Sequence, residues 1–275
     1  MNTQHPNGEV DHVSQPLSQA RDGVVTNGAH PAADGGAAAA DGVIGTRPGT
    51  SSAPATLVLS RHGQSVWHAE NRYAGSSDID LTPVGRLQAQ ALADWAGAHR
   101  PDALYSSPVR RARESTEPVS AVTGMTATIE EDLREVHFGV AEGLTIGELR
   151  NRFPEAAARF ESDPVAGSFP AAEAPEAAAA RGTAALRRIA GAHPGDTVLV
   201  VAHSTLIRLV LCSLLSIPLR NYRQSLPKLD NGTLTRIRLG GDQHSPCALL
   251  SYNVPLAALS PAGGTPQSVL VPQSG

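Results

Sequence analysis

The chain has 275 residues and a formal net charge of −4. It holds no apolar run near the ~18 residues of a membrane span, no basic-then-apolar leader, and no basic stripe suited to nucleic acid or a membrane surface. A cytoplasmic protein is expected, with no nucleic-acid or membrane partner. Residues 1–54 carry Glu9, Asp11, Asp22, Asp34 and Asp41 against Arg21 and Arg47, so most of the net charge lies there. They are rich in Gly, Ala, Pro, Asn, Asp and Gln and nearly devoid of large apolar residues. Such a stretch cannot bury enough apolar surface to offset its chain entropy, which predicts a disordered N-terminal tail over 1–54. Residues 256–275 are Ser/Pro/Gly/Gln-rich and uncharged, and read as a flexible C-terminal tail. Residues 55–255 suffice for one domain with a sizeable core. Cys212 and Cys247 have no metal or redox spacing and read as reduced, buried thiols.

Thr56–Ser60 is a continuous apolar run, consistent with a buried strand, and it delivers Arg61-His62-Gly63 at its C-terminal end. Residues 67–80 are polar and glycine-containing, hence a loop. Thr82-Pro83 starts a helix, Thr as N-cap and Pro at the first helical position, with Leu87, Ala91, Leu92 and Trp95 as its apolar face. Residues 102–107 predict a second strand. Ser107-Pro108 predicts a cap for a helix carrying Arg110, Arg111 and Arg113 in its first turns. Arginines oppose the macrodipole at that end, so at least one is expected to be held for function. Residues 126–129 form a third strand candidate.

Residues 133–144 form a glycine-punctuated loop with Glu135 and Glu142 seven positions apart. Thr145 begins another helix, and 154–192 is alanine-rich and helical with a break around 163–170. Residues 196–205 then repeat the opening pattern: a buried strand ends in His203, and a helix follows at once. A helix N-terminus beside His203 predicts an anion there. Residues 233–239 and 248–252 read as a hairpin. Strands alternating with helices give an α/β fold.

A neutral imidazole is a nucleophile or proton carrier, and the arginine beside it offers a fork suited to phosphate or carboxylate oxygens. The phosphate-binding, serine-hydrolase and zincin motifs GxxxxGK, GxGxxG, GxSxG and HExxH are absent from the sequence.

Four segments in order carry a resemblance: Leu59-Ser60-Arg61-His62-Gly63-Gln64-Ser65, Ser107-Pro108-Val109-Arg110-Arg111-Ala112, Leu133-Arg134-Glu135-Val136 with Phe138-Gly139 and Glu142-Gly143-Leu144, and Val200-Val201-Ala202-His203. Over roughly residues 56–252 the sequence resembles the histidine phosphatase (phosphoglycerate mutase-like) superfamily. The resemblance implies a three-layer αβα sandwich around a mostly parallel sheet. It implies His62 as the nucleophile that takes a phosphoryl group, Arg61, Arg111 and His203 around it, and Glu135 as proton donor to the leaving oxygen. His68, Gln64, Ser65 and Ser204 are the expected substrate contacts. No cofactor and no metal is called for. The implied partner is a small phosphorylated metabolite, and a homo-oligomer stays open. His68 stands where relatives usually carry Asn, Ser204-Thr205 where they carry Gly-Gly or Gly-Asn, and Pro170-Ala171-Ala172-Glu173-Ala174 where many carry Pro-Gly-Gly-Glu-Ser. Only residues 136–202 separate Glu135 from His203, shorter than in cofactor-dependent mutases, which favours hydrolysis of phosphate monoesters over a mutase reaction. A non-catalytic phosphate-binding module is the rival from another class.

Overall fold

The computed structural model describes residues 53–256. The expected tails, 1–54 and 256–275, lie outside the described residues except for 53, 54 and 256. The elements run β1 (Ala55–Arg61), α1 (Val66–Ala69), α2 (Pro83–His99), β2 (Ala103–Ser106), α3 (Arg110–Thr123), β3 (Thr128–Ile129), α4 (Ile146–Arg152), α5 (Pro154–Ser162), α6 (Pro175–Ala192), β4 (Thr197–Ala202), α7 (Ser204–Leu214), α8 (Tyr222–Ser225), β5 (Thr233–Leu239) and β6 (Cys247–Pro255).

The six strands form one sheet in the order β3-β2-β4-β1-β5-β6. The β2–β3, β2–β4 and β1–β4 pairings are parallel, and β1–β5 and β5–β6 are antiparallel. Successive strand side chains point to opposite faces, and both faces are covered. Val58, Leu104, Leu199 and Val201 pack with Leu92, Ala93 and Ala96 of α2 and Ala112 and Val119 of α3. Leu57, Leu59, Val198 and Val200 pack in the other layer with Ala178, Leu186 and Ile189 of α6 and Leu206, Leu209 and Val210 of α7. Each fully buried Val, Leu or Ile contributes roughly 1.5–3 kcal/mol, so these two layers dominate the folding free energy. The expected three-layer α/β sandwich is the fold found.

Local corrections have physical causes. Leu87 is 71% exposed, and α2 buries Gly85, Ala89, Leu92, Ala93, Trp95 and Ala96 instead. α2 packs closely along α3, and its buried face is rich in small residues, an asymmetry that hydrophobicity alone does not reveal. Ser107 does not cap α3: the cap position is Val109, and Ser107 is turned inward. Residues 67–80 are not all loop, because Val66–Ala69 makes one helical turn. Cys212 is buried, whereas Cys247 on the edge strand is only half-buried.

β1 and β4 pair in step, with Thr56 opposite Thr197 and Arg61 opposite Ala202. The His62 N–H continues the ladder to the Ala202 carbonyl at 3.1 Å. The two strands therefore end together, and the next residue on each is a histidine. Chain leaves β1 through Gly63, which meets the first turn of α2. A Cβ on Gly63 would sit 2.3 Å from the Gly85 carbonyl oxygen, and one on Gly85 would sit 2.0 Å from the Gln64 carbonyl oxygen.

That contact makes a testable exception to helix propensity. Gly→Ala within a helix ordinarily stabilises by about 1 kcal/mol. Gly85→Ala should instead destabilise, by an overpacking cost of about 1–3 kcal/mol, because both clashing partners are backbone. Denaturant unfolding measures the sign, and a stabilised variant would refute the close approach.

Candidate active site

His62 and His203 lie at the paired strand ends with ring centroids 5.0 Å apart, and His68 lies 5.0 Å from His62 on another side. Neither His62 nor His203 has more than 1% of its surface exposed. Their partners fix the protons. The Gly63 carbonyl oxygen lies 2.6 Å from His62 Nδ1 and can only accept, so Nδ1 carries the hydrogen. His62 Nε2 then has a lone pair, which accepts from Arg111 Nε at 3.1 Å. His203 Nδ1 faces Arg111 Nη2 at 3.1 Å, and a guanidinium only donates. His203 Nε2 therefore carries the hydrogen and donates it to Ser107 Oγ at 2.7 Å. Burial, followed by the Arg111 charge, holds both imidazoles well below their ordinary pKa.

Arg111 is the arginine held back from the helix surface. It has no exposed surface. Besides the two histidines, Nη1 donates to Ser77 O (3.0 Å) and Nη2 to Ala74 O (2.9 Å) and Gly75 O (2.7 Å). Glu142 holds this 74–77 loop from behind, accepting from the Ser76 N–H and the Ser77 hydroxyl while also accepting from the Phe138 N–H. Burial works to raise the Glu142 carboxyl, and these hydrogen bonds outweigh it and hold it below the ordinary value. Arg110, by contrast, is a surface residue paired with Asp80 and Glu114.

Arg61 donates from Nη1 to Leu229 O at 2.6 Å, while its Nε is buried and donates to nothing among the described residues. A buried unpaired donor is unfavourable until an acceptor arrives. Burial lowers both Arg61 and Arg111 to about 10, which leaves both cationic at neutral pH.

Glu135 is 5% exposed and faces the start of α7. Its Oε1 accepts from the Val136 and Leu206 N–H groups and its Oε2 from the Thr205 N–H, at 2.9–3.0 Å. The anion predicted for this helix N-terminus is thus the chain's own carboxylate.

The remaining expected residues divide. His68 is brought to the site, its Nδ1 2.6 Å from the fully buried Ser65 hydroxyl. Burial and the charges of Arg61 and Arg111 lower it to about 2, so it is a neutral imidazole at ordinary pH. Ser65 thereby serves His68. Gln64 faces the start of α2, where its Oε1 accepts from the Thr82 hydroxyl at 2.9 Å. Ser204 opens α7, half-buried beside His203. Arg72 is paired with Glu70 and Glu148, and Tyr73 packs against Phe138, Phe160 and Phe169.

Sequence reasoning missed several supports. Ser107 orients His203. Ser115 Oγ accepts from the Gly63 N–H at 3.0 Å and donates to Arg111 O at 2.7 Å, fixing the turn after His62. Asn231 Nδ2 donates to the His62 carbonyl at 3.0 Å. Ser107 carried a helix-cap signal, Asn231-Gly232 a turn signal, and Ser115 looked like an ordinary helix residue.

The three neutral histidines give a pH dependence of stability. Each has a native pKa below its unfolded value near 6.5. The unfolded state therefore binds more protons below that value, and stability present above pH ~6.5 declines as pH falls from there, toward about 2 for His68. His68→Asn should reduce the slope of unfolding free energy against pH between about 6 and 4 by up to one proton. An unchanged slope would show that His68 is protonated in the native protein.

The histidine phosphatase superfamily (branch 1) model matches residues 57–253. A Hydrogenobacter thermophilus protein that carries the name phosphoserine phosphatase 2 is 31% identical over 187 residues, 68% of this chain and 91% of that protein. Phosphoglycerate mutase-like protein 4 of Arabidopsis thaliana is 34% identical over 56% of this chain and 68% of its own length. The solved structure of mycobacterial glucosyl-3-phosphoglycerate phosphatase superposes with a TM-score of 0.66 at 28% identity, covering 72% of this chain and 98% of that one. With the paired histidines and the family match over the same segment, the chain belongs to the histidine phosphatase superfamily, branch 1.

Proposed function

We propose that the protein hydrolyses small phosphate monoesters through a phosphohistidine formed on His62. The observation that carries this is the His62 tautomer: Nδ1–H is fixed on Gly63 O, and the Nε2 lone pair faces a ring of buried cationic and neutral donors. Phosphoryl transfer spreads charge over the nonbridging oxygens, so catalysis is mainly positioning plus electrostatic stabilisation. Arg61 supplies an unsatisfied Nε donor. Arg111 exchanges its bonds to the two imidazoles for bonds to phosphate oxygens when the substrate enters.

In the first step His62 Nε2 forms a bond to phosphorus and the ester P–O bond breaks, with Glu135 passing a proton to the leaving oxygen. Glu135 accepts three N–H bonds, and the proton it hands on arrives with the monoanionic phosphate ester. In the second step the carboxylate takes a proton from water, water attacks phosphorus, and the P–N bond breaks. His68, held by Ser65, flanks the phosphoryl group as a neutral hydrogen-bonding residue, and Ser204 and Gln64 line the entry side. The substrate is a small phosphorylated metabolite, the class to which phosphoserine in a relative's name belongs. The free thiols Cys212 and Cys247 suit a reducing, cytoplasmic location.

Hydrolysis is preferred to a mutase reaction because helices α4, α5 and α6 use most of the interval between Glu135 and His203 and bury Leu149, Ala157, Phe160, Ala178 and Leu186 in the core. Little chain is left there to close over a dephosphorylated intermediate and keep water out.

The tests separate these outcomes. Acid-quenched enzyme should carry phosphate on a histidine, and His62→Ala should lose the label and several powers of ten in turnover. Binding without trapping would identify a phosphate-binding module. Conversion between phosphoglycerates without phosphate release would identify a mutase. Glu135→Gln should slow alkyl phosphates by about 10²–10⁴-fold while sparing p-nitrophenyl phosphate, whose leaving group needs no proton. Equal loss on both substrates would remove Glu135 from the proton-transfer role.

A further inference from the structure

Glu135 is gripped at its carboxylate by α7, and its backbone is gripped from a different helix. Arg181 lies in α6 with its side chain 10% exposed. Its Nη1 donates to Asp132 O (2.7 Å) and Arg134 O (2.8 Å), and its Nη2 donates to Glu135 O (3.2 Å). Its remaining donors, on Nε and Nη2, meet both oxygens of Glu173 at 2.7 and 2.8 Å. The whole fork is thereby matched, which leaves nothing for a substrate and excludes Arg181 as a ligand.

The geometry around this fork is unusually constrained. The next residue, Gly182, marks the closest approach of α6 to α7, where an added Cβ would lie 2.6 Å from Val210 Cγ2 and 2.8 Å from Leu206 Cδ1. Leu206 is also the residue whose N–H binds Glu135 Oε1. The two helices that hold the two ends of Glu135 are therefore packed directly against each other. Glu173 closes the circuit, its N–H donating to His137 O at 2.8 Å, two residues beyond Glu135. Burial works to raise the Glu173 carboxyl, and the Arg181 guanidinium outweighs it and keeps the pair ionic.

We infer that Arg181, braced by Glu173, is a positioning residue for Glu135: it fixes the backbone of the proton-donating carboxylate relative to the phosphoryl site without touching substrate. The inference rests on the role proposed above for Glu135. Its prediction is selective. A misplaced acid harms reactions that need a proton on the leaving oxygen, whereas a general loss of structure harms all substrates alike. A displacement near 1 Å in a catalytic group can lower turnover by about 10²-fold.

The experiment compares wild type, Arg181→Gln, Glu135→Gln and the double variant on an alkyl phosphate and on p-nitrophenyl phosphate. Arg181→Gln should lose about 10–10²-fold in kcat on the alkyl phosphate and stay near wild type on the aryl ester, which also reports that it has folded. In the double variant the alkyl loss should equal that of Glu135→Gln alone, since an absent acid cannot be further misplaced. Equal losses by Arg181→Gln on both substrates, or full additivity, would overturn the inference. If Glu135→Gln itself shows no leaving-group selectivity, the proton-transfer role fails first and takes this inference with it. Should Arg181→Gln not fold, Arg181→Lys, which keeps the charge but not the fork, is read in the same way.

Discussion

A guanidinium with no exposed surface must be surrounded by acceptors, and the site is built around that requirement at Arg111. Burying a cation without compensation would cost several kcal/mol. Three loop carbonyls and two imidazole lone pairs meet it. The loop exists in that shape because Glu142 binds its far side and because Gly75 leaves room, a Cβ there falling 2.0 Å from Glu142 Oε1. The imidazoles are present because β1 and β4 end in register. The same cation then helps keep both histidines neutral, which a phosphoryl acceptor needs. One buried charge thus links sheet register, loop conformation and nucleophile protonation.

Much of this was legible in the sequence, for specific reasons. The apolar runs before His62 and His203 are strands buried on both faces, and such runs are readable because burial demands them at every position. Thr82-Pro83 was readable as a helix start because capping uses local chemistry, and the Thr82 hydroxyl does accept from the Gly85 N–H. The macrodipole conflict singled out the helix start carrying Arg110, Arg111 and Arg113, and burial picks Arg111 from them. What stayed hidden was nonlocal. Ser107 is 96 positions from the histidine it orients, and Asn231 is 169 from the carbonyl it holds. Neither has a local pattern that distinguishes a support from a turn residue. Leu87 was misplaced because apolar periodicity does not show that α2 buries a face rich in glycine and alanine and packs along α3.

His68 illustrates how a substitution can change residue type without changing the state presented to a ligand. A histidine in place of an amide suggests a titratable group. In the structure it is half-buried, and desolvation followed by the charges of Arg61 and Arg111 holds it neutral. With its Nδ1 tied to Ser65, it offers a neutral planar side chain with one ring nitrogen remaining. That is close to what an asparagine offers. The titration is shifted out of the working range, and its consequence passes to acid stability.

The largest difference between sequence and structure concerns the helix that follows His203. A helix N-terminus at a strand end is an anion site, and a phosphate is the anion one would place there. The anion found is Glu135, on the N–H groups of Thr205 and Leu206. The division is chemically sensible. Backbone donors on a rigid helix hold the carboxylate at one position. In the proposed reaction the phosphoryl oxygens are met by side chains, Arg61, Arg111 and the imidazoles, rather than by this helix. A carboxylate fixed by a helix beside a ring of side-chain donors fits the proposed reaction, in which the phosphoryl group travels and the acid must not.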